Sequence, residues 1–314
     1  MSSPSVSERD AALLRLLEGL DGVGYRFITP TPATHACVLK RREGEAAGNL
    51  RDALGWNLPF KASALPSDIL EHLFQANVVE HEGGLLRSRI RVSTIGDRLF
   101  VHSGYPTEQE DAVFLGPDTY RFVDFIRSEL AASPTPRRLV DIGTGAGAGA
   151  IMASSVVPDA TLTLVDVNSS ALRFASINAR HAGLEVELLE GDGIDAVAGS
   201  FDMVIANPPY MMDDSGRHYR DGGDMHGARL SLDWTLAAAR RLERGGRMLL
   251  YTGVAIVDGR DELREALERE LPKLGCSVRY REIDPDVFGE ELEKPPYREV
   301  ERIAAISAVV EAAA

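Results

Sequence analysis

Four consecutive residues, Asn207-Pro208-Pro209-Tyr210, carry the sharpest chemical signal in the chain. The asparagine side chain offers a carbonyl acceptor, and the Pro208 main chain offers a second. Two such oxygens can take both N–H hydrogens of a flat NH2 group, an amide or an exocyclic amine. The nitrogen lone pair, otherwise delocalised into the amide or ring, is then aimed at an electrophile. Both prolines fix φ and carry no N–H, which holds the carbonyls outward. Tyr210 supplies a flat face for the planar group to stack on. Nitrogen gains positive charge as it is alkylated, and preorganised carbonyl dipoles stabilise that charge. A Pro-Pro pair can also do no more than end a strand. Position argues for chemistry: the four residues stand downstream of a glycine-rich turn and two acids, in order.

The turn is Asp141-Ile142-Gly143-Thr144-Gly145-Ala146-Gly147. It falls where a strand meets a helix, and its glycines let the backbone turn tightly and approach a ligand. The helix that follows offers free N–H groups at its start. Gly145, Gly147 and Ala150 also satisfy the loose dinucleotide pattern, so the turn alone does not choose a ligand. Asp166 ends the next strand, with Val167 behind it. A carboxylate there can accept both hydroxyls of a ribose, in a nicotinamide dinucleotide or in S-adenosylmethionine. Its competing role is to cap the helix starting at Ser169, for which Asn168 or Ser169 is better suited. Asp192 and Gly193 follow the third strand, where an acid can accept from the adenine amine. A plain turn is the alternative, with Asp195 as a nearby competitor.

The elements that must position these residues alternate. Strands are expected at Leu139–Ile142, Thr161–Asp166, Val186–Leu189, Met203–Ala206, Met248–Tyr251, Val278–Glu282 and Ile303–Val309. Helices are expected at 119–131, ended by Ser133-Pro134-Thr135-Pro136, and at Ser169–His181, Leu230–Leu242 and Arg260–Leu271. Alternation of this kind means an α/β, doubly wound parallel sheet. Residues 1–105 read differently. A leucine-rich amphipathic helix covers 8–20 and small helices lie within 35–54. A helix Ile69–Ala76 is capped by Ser67 or Asp68. A strand Leu85–Val92 then precedes a turn at Gly96-Asp97 and a strand Leu99–Val101. That is a smaller N-terminal α+β domain of winged-helix type, suited to substrate recognition. The polar, turn-rich 104–111 marks the boundary to a catalytic domain at 112–314.

The 314 residues are 44% hydrophobic and 26% charged, ordinary for a soluble protein. The net charge of −14 falls wholly on residues 106–314, since residues 1–105 balance. Duplex nucleic-acid binders normally carry a basic footprint, so this distribution weighs against one. No apolar run approaches a membrane span. The segment Met1–Ser5 shows no leader, and Cys37 and Cys276 suit buried thiols in a reducing cytoplasm. Lys40-Arg41-Arg42 reads as solvated surface. His218 and His226 read as loop histidines, so no metal site is expected. The acidic loop of Asp213, Asp214, Asp221 and Asp224 either covers the acceptor or is simply solvated. Glu290–Lys294 reads as a solvated turn.

With these motifs in order, residues 112–314 resemble the class I S-adenosylmethionine-dependent methyltransferases. Within them the chain looks most like the HemK-like small-domain N-methyltransferases that carry N-P-P-Y. The resemblance implies a Rossmann-like seven-stranded sheet with an antiparallel last strand. It implies that Asp141, Gly143, Thr144, Gly145 and Gly147 wrap the methionine part of S-adenosylmethionine. Asp166 and Val167 would take the ribose side, and Asp192 with Gly193 the adenine. Asn207 borders the cofactor and, with Pro208, Pro209 and Tyr210, orients the acceptor nitrogen. S-adenosyl-L-homocysteine is the implied product. Phe114–Thr119 resembles the family's Pro-rich segment, although Gly116 and Tyr120 replace its Arg and last Glu. Tyr219–Gly223 resembles the loop after N-P-P-Y. The β-ribbon in the N-terminal half departs from a purely helical docking domain. Three functional classes follow: methylation of a protein glutamine amide, methylation of a base amine in ribosomal or transfer RNA, and nicotinamide-dependent oxidoreduction. A non-catalytic binding protein of the same fold is a fourth. The acceptor and the oligomeric state are not written in the sequence.

Overall fold

A computed structural model describes residues 6–132, 136–212 and 220–314. The helices are α1 (Val6–Gly22), α2 (Pro32–Arg41), α3 (Leu50–Leu54), α4 (Ser67–Gln75), α5 (Pro117–Ala131), α6 (Ala148–Ala153), α7 (Ser169–His181), α8 (Arg229–Ala239) and α9 (Glu262–Glu270). The strands are β1 (Val79–Glu82), β2 (Leu85–Ser88), β3 (Ile90–Ile95), β4 (Arg98–Ser103), β5 (Arg138–Ile142), β6 (Thr161–Asp166), β7 (Glu187–Glu190), β8 (Phe201–Ala206), β9 (Leu242–Val257), β10 (Arg260–Asp261), β11 (Cys276–Asp284) and β12 (Arg302–Ala312).

Seven strands form the main sheet in the order β7-β6-β5-β8-β9-β12-β11, with β10 pairing only the end of β9. Strands β5 to β9 run parallel, and β12 is antiparallel to both neighbours. The expected doubly wound sheet with an antiparallel last strand is therefore present. The chain winds outward from β5 to β7, then returns to β8 on the other side of β5. Ligands bind at such a reversal, outside the carboxyl ends of the strands. Here those ends are Ile142 and Ala206, one residue short of Gly143 and Asn207. The apolar runs of β5 and β8 are buried on both faces, as helix-covered parallel strands must be.

Several boundaries differ from expectation. The stretch 85–92 is two strands, broken at Arg89, whose amide donates to the Val78 carbonyl across the first hairpin. Helix α4 begins after Pro66 with no side-chain cap, so neither Ser67 nor Asp68 does that work. Strand β9 is far longer than Met248–Tyr251, because β12 pairs with it from Arg247 to Ile256. Cys276 is buried, but Cys37 is exposed. Arg42 ion-pairs with Asp52 at 2.6 Å rather than standing free in water. The expected terminator Ser133-Pro134-Thr135, with Met1–Ser5, Asp213, Asp214, His218 and Tyr219, lies outside the described residues. No described helix is long and apolar enough to cross a membrane.

Among the described residues, the N-terminal half contains four α-helices and two antiparallel hairpins. Its leucines share one continuous apolar core with Ile151 of α6 and Phe174 and Ile177 of α7. Asn178, 1% exposed, joins the two halves. Its side chain bonds both the N–H and the carbonyl of Val101 in β4, at 2.8 and 3.1 Å, and donates to the Ala146 carbonyl at 2.9 Å. The wall of the glycine-rich turn is thereby tied to the N-terminal half.

Candidate active site

A cleft of about 820 Å3 opens at the switch point between β5 and β8. Such a volume suits a cofactor together with part of a second substrate. Gly143, Thr144 and Gly145 line it from the first turn, Asp166 and Val167 from the second, and Asp192 and Gly193 from the third. Asn207, Pro208, Pro209 and Tyr210 line it from the tip of β8. The four expected motifs thus converge on one space.

Two expected residues do not line it. Strand alternation puts Val140 and Ile142 in one core layer and turns Asp141 to the opposite face, beneath α6. Asp141 is 1% exposed. One of its oxygens accepts from the Thr144 hydroxyl at 2.9 Å and from the Ala150 N–H at 3.0 Å. Burial pushes its carboxyl up to about 7, opposed by those two donors, with the charge of Asp166 adding to the rise. Asp141 shapes the turn from beneath. Gly147, at φ 81°, starts α6 and meets the α7 residue Ala175 behind the cleft wall.

Asp166 faces the cleft and also braces it. Its oxygens accept from the Gly145 N–H and the Asn168 N–H, each at 2.9 Å. Asn168 caps α7 by accepting from the Ser170 N–H, so Asp166 is not that helix's cap. Trp234 of α8, which sequence reasoning did not single out, lines the cleft between the first and third turns. A Cβ on Gly143 would stand 2.8 Å from its ring, and one on Gly193 2.8 Å from its Nε1. Both glycines also have positive φ, 67° and 54°. An amphipathic pattern shows that α8 packs, but not which neighbour its indole meets.

At the acceptor end, the Asn207 Oδ1 atom is buried and has no hydrogen-bond partner among the described residues. The Tyr210 hydroxyl donates to Asp118, at the start of α5, and its ring is 6.2 Å from that of Phe288. Asp118 is 6% exposed and lines the same cleft. Burial raises its carboxyl above the usual range, against the Tyr210, Tyr251 and Arg121 donors. Burial and the neighbouring Asp118 raise the Tyr210 hydroxyl well above its ordinary value, so it stays protonated. The sequence marked the 114–119 segment only as a pattern. Its departures now have local reasons. A Cβ at Gly116 would strike the Phe114 ring, and the Tyr120 hydroxyl accepts from the Thr29 N–H at 3.0 Å. Glu108, Asp192 and Asp221 add acidic lining, while Arg220 is ion-paired with Glu291. Glu291 is buried, so Glu290–Lys294 is not merely a solvated turn.

The chain matches known proteins over the region that builds this cleft. Residues 123–252 match the family model Methyltransferase small domain. A release factor glutamine methyltransferase of Deinococcus radiodurans is 30% identical over 189 residues, 59% of this chain and 66% of that protein. The protein of the same name from Bordetella pertussis is 31% identical over 167 residues, 52% and 61% of the two chains. Ribosomal RNA small subunit methyltransferase C of Pseudomonas entomophila is 31% identical over 100 residues, 28% of this chain and 30% of that one. The matches to the two glutamine methyltransferases therefore span under two thirds of their length. With the strand order, the cleft at its switch point and the matched residues in view, residues 123–252 carry a methyltransferase small domain, and over part of its length the chain is similar to the HemK-like release factor glutamine methyltransferases.

Proposed function

We propose that the protein transfers a methyl group from S-adenosylmethionine to the side-chain amide of a protein glutamine. The observation that carries this reading is the Asn207 carbonyl, a buried acceptor at the wall of the cleft without a partner among the described residues. Leaving such a group unmet costs about 1–3 kcal/mol, a cost understandable where a substrate N–H completes it. The cofactor suits the residues around it. Gly143 and Gly193 leave room that any Cβ would close against Trp234, and the acidic lining favours a ligand bearing a sulfonium charge.

In this reading Gly143, Thr144 and Gly145 hold the methionine part through backbone groups. Asp166 accepts the ribose hydroxyls, with Val167 against the adenosine, and Asp192 with Gly193 faces the adenine. When bound, S-adenosylmethionine supplies the electrophilic methyl carbon and leaves as the neutral thioether S-adenosylhomocysteine. Asn207 Oδ1 and the Pro208 carbonyl accept the two amide hydrogens and hold the amide plane so that the nitrogen lone pair, perpendicular to it, faces the methyl carbon. Tyr210 bounds the planar group. As the N–C bond forms, both carbonyl dipoles oppose the charge growing on nitrogen. The nitrogen then sheds one hydrogen as a proton to water along the same oxygens.

Glutamine is favoured by the two relatives named for that activity and by the charge-balanced N-terminal half. Methylation of a base amine in RNA is the second reading, supported by the Pseudomonas relative. Incubating the protein with methyl-tritiated cofactor and fractionated bacterial lysate separates them. Label should enter the protein pool as N-methylglutamine, with weak salt dependence. Label confined to RNA, lost steeply with salt, would replace the first reading by the second.

A further inference from the structure

We infer that Asp118 is the positioning residue for the acceptor motif, holding the Tyr210 ring through its hydroxyl; the inference rests on the function proposed above. A ring needed only for stacking requires no hydroxyl, and phenylalanine would serve. Here the hydroxyl is buried and committed. It donates to one Asp118 oxygen, while the other accepts from the Tyr251 hydroxyl at 2.8 Å and faces Arg121 at 3.3 Å. Arg121 in turn donates to Asp284 of β11 at 2.8 Å. One carboxylate in the first turn of α5, where the helix dipole favours negative charge, therefore ties the tip of β8 to β9 and, through Arg121, to β11. The ring has little other freedom. A Cβ on Gly253 would lie 2.3 Å from Tyr210 Cδ2, so the ring rests on bare backbone there. Asp118 and Tyr210 both line the cleft.

Removing either end of this bond should leave the cofactor site intact and loosen the wall that orients the acceptor. Small misplacements there are expensive, up to about 100-fold in rate for roughly 1 Å. The test compares Asp118→Ala, Tyr210→Phe and the double variant, with the tritiated cofactor and the lysate protein pool as probes. Each single variant should lower the maximal rate by about tenfold or more at unchanged KM for the cofactor, and the double variant should be no slower than the slower single. Losses that multiply in the double variant, or Tyr210→Phe turning over at the wild-type rate, overturn the inference. If Asp118→Ala does not fold, Tyr210→Phe decides alone. A wild-type protein that labels no pool overturns the functional reading and the inference with it, whereas an active wild type with undiminished variants overturns the inference alone.

Discussion

Replacing Asn207 by alanine separates what that side chain does for the fold from what it does for chemistry. Its Oδ1 atom lies out of water with no partner among the described residues. Folding strips that carbonyl of solvent and returns no hydrogen bond, a cost of about 1–3 kcal/mol. Alanine removes the cost together with a few atoms of packing, at a residue that is only partly buried. Thermal unfolding of the variant without cofactor should therefore sit level with or above the wild type. Methyl transfer should behave oppositely. Loss of one preorganised acceptor costs about 100-fold in turnover, or about 2.7 kcal/mol at 1.36 kcal/mol per decade. Cofactor affinity, measured by calorimetry, should stay within about tenfold, because the proposed interaction is made in the transition state. Two results would refute the reasoning. A stability loss beyond about 1 kcal/mol would make the amide a structural tie of the kind that typical core mutations break. Turnover within about threefold of wild type, under half of one decade, would remove Asn207 from the transition state.

Asp166→Ala removes the proposed ribose acceptor and two braces of the cleft, so cofactor binding should weaken by about 1–3 kcal/mol; full affinity by calorimetry would exclude the role. Asp141→Asn tests the buried acid. Its folded carboxyl is raised to about 7, so the folded state holds its proton more tightly than the unfolded chain. Its contribution to stability therefore falls as pH climbs from about 4 to about 7, then levels off. Asparagine keeps one oxygen for the Thr144 and Ala150 donors and cannot ionise. The melting temperature of the variant relative to wild type should therefore rise between about pH 4 and pH 7 and stay level above that. A flat difference would show that burial does not raise this group. Gly193→Ala places a Cβ 2.8 Å from Trp234 Nε1 at φ 54°, so the indole must move. Indole emission, shared only with Trp56, should shift and stability fall by about 1–2 kcal/mol; an unchanged spectrum with unchanged cofactor affinity would contradict the packing.

The catalytic half was legible because its signals are local. Alternating apolar strands and helices fix a doubly wound sheet, and each site motif stands at the carboxyl end of a strand, where chain direction alone puts it in the cleft. Strands β6 and helix α7 fall where their patterns place them. What was not legible depends on the side of an element that faces a distant neighbour. Asp141 has the right residue type at the right turn, yet strand parity sends its carboxylate beneath α6. Trp234 reads as one apolar residue on a helix until α8 is docked between two glycine turns. Asp118 reads as a helix-start acid until Tyr210, just past the tip of β8, and Tyr251, in β9, arrive from 92 and 133 residues away in sequence.

The same limit shows at the junction of the two halves. Residues 104–111 are polar and turn-rich, the composition of a linker, yet Tyr105, Pro106 and Glu108 line the cleft. The reason is the core behind them. Because α1 packs with α7 and β4, and Asn178 locks β4 to Ala146, the chain leaving β4 is held against the second half. It must cross the mouth of the site before α5 begins. Tyr120 then secures that crossing from the other side by receiving the Thr29 N–H. The N-terminal half therefore contributes a wall of the cleft, through Pro32 and Tyr105, whose placement follows from how the two halves pack.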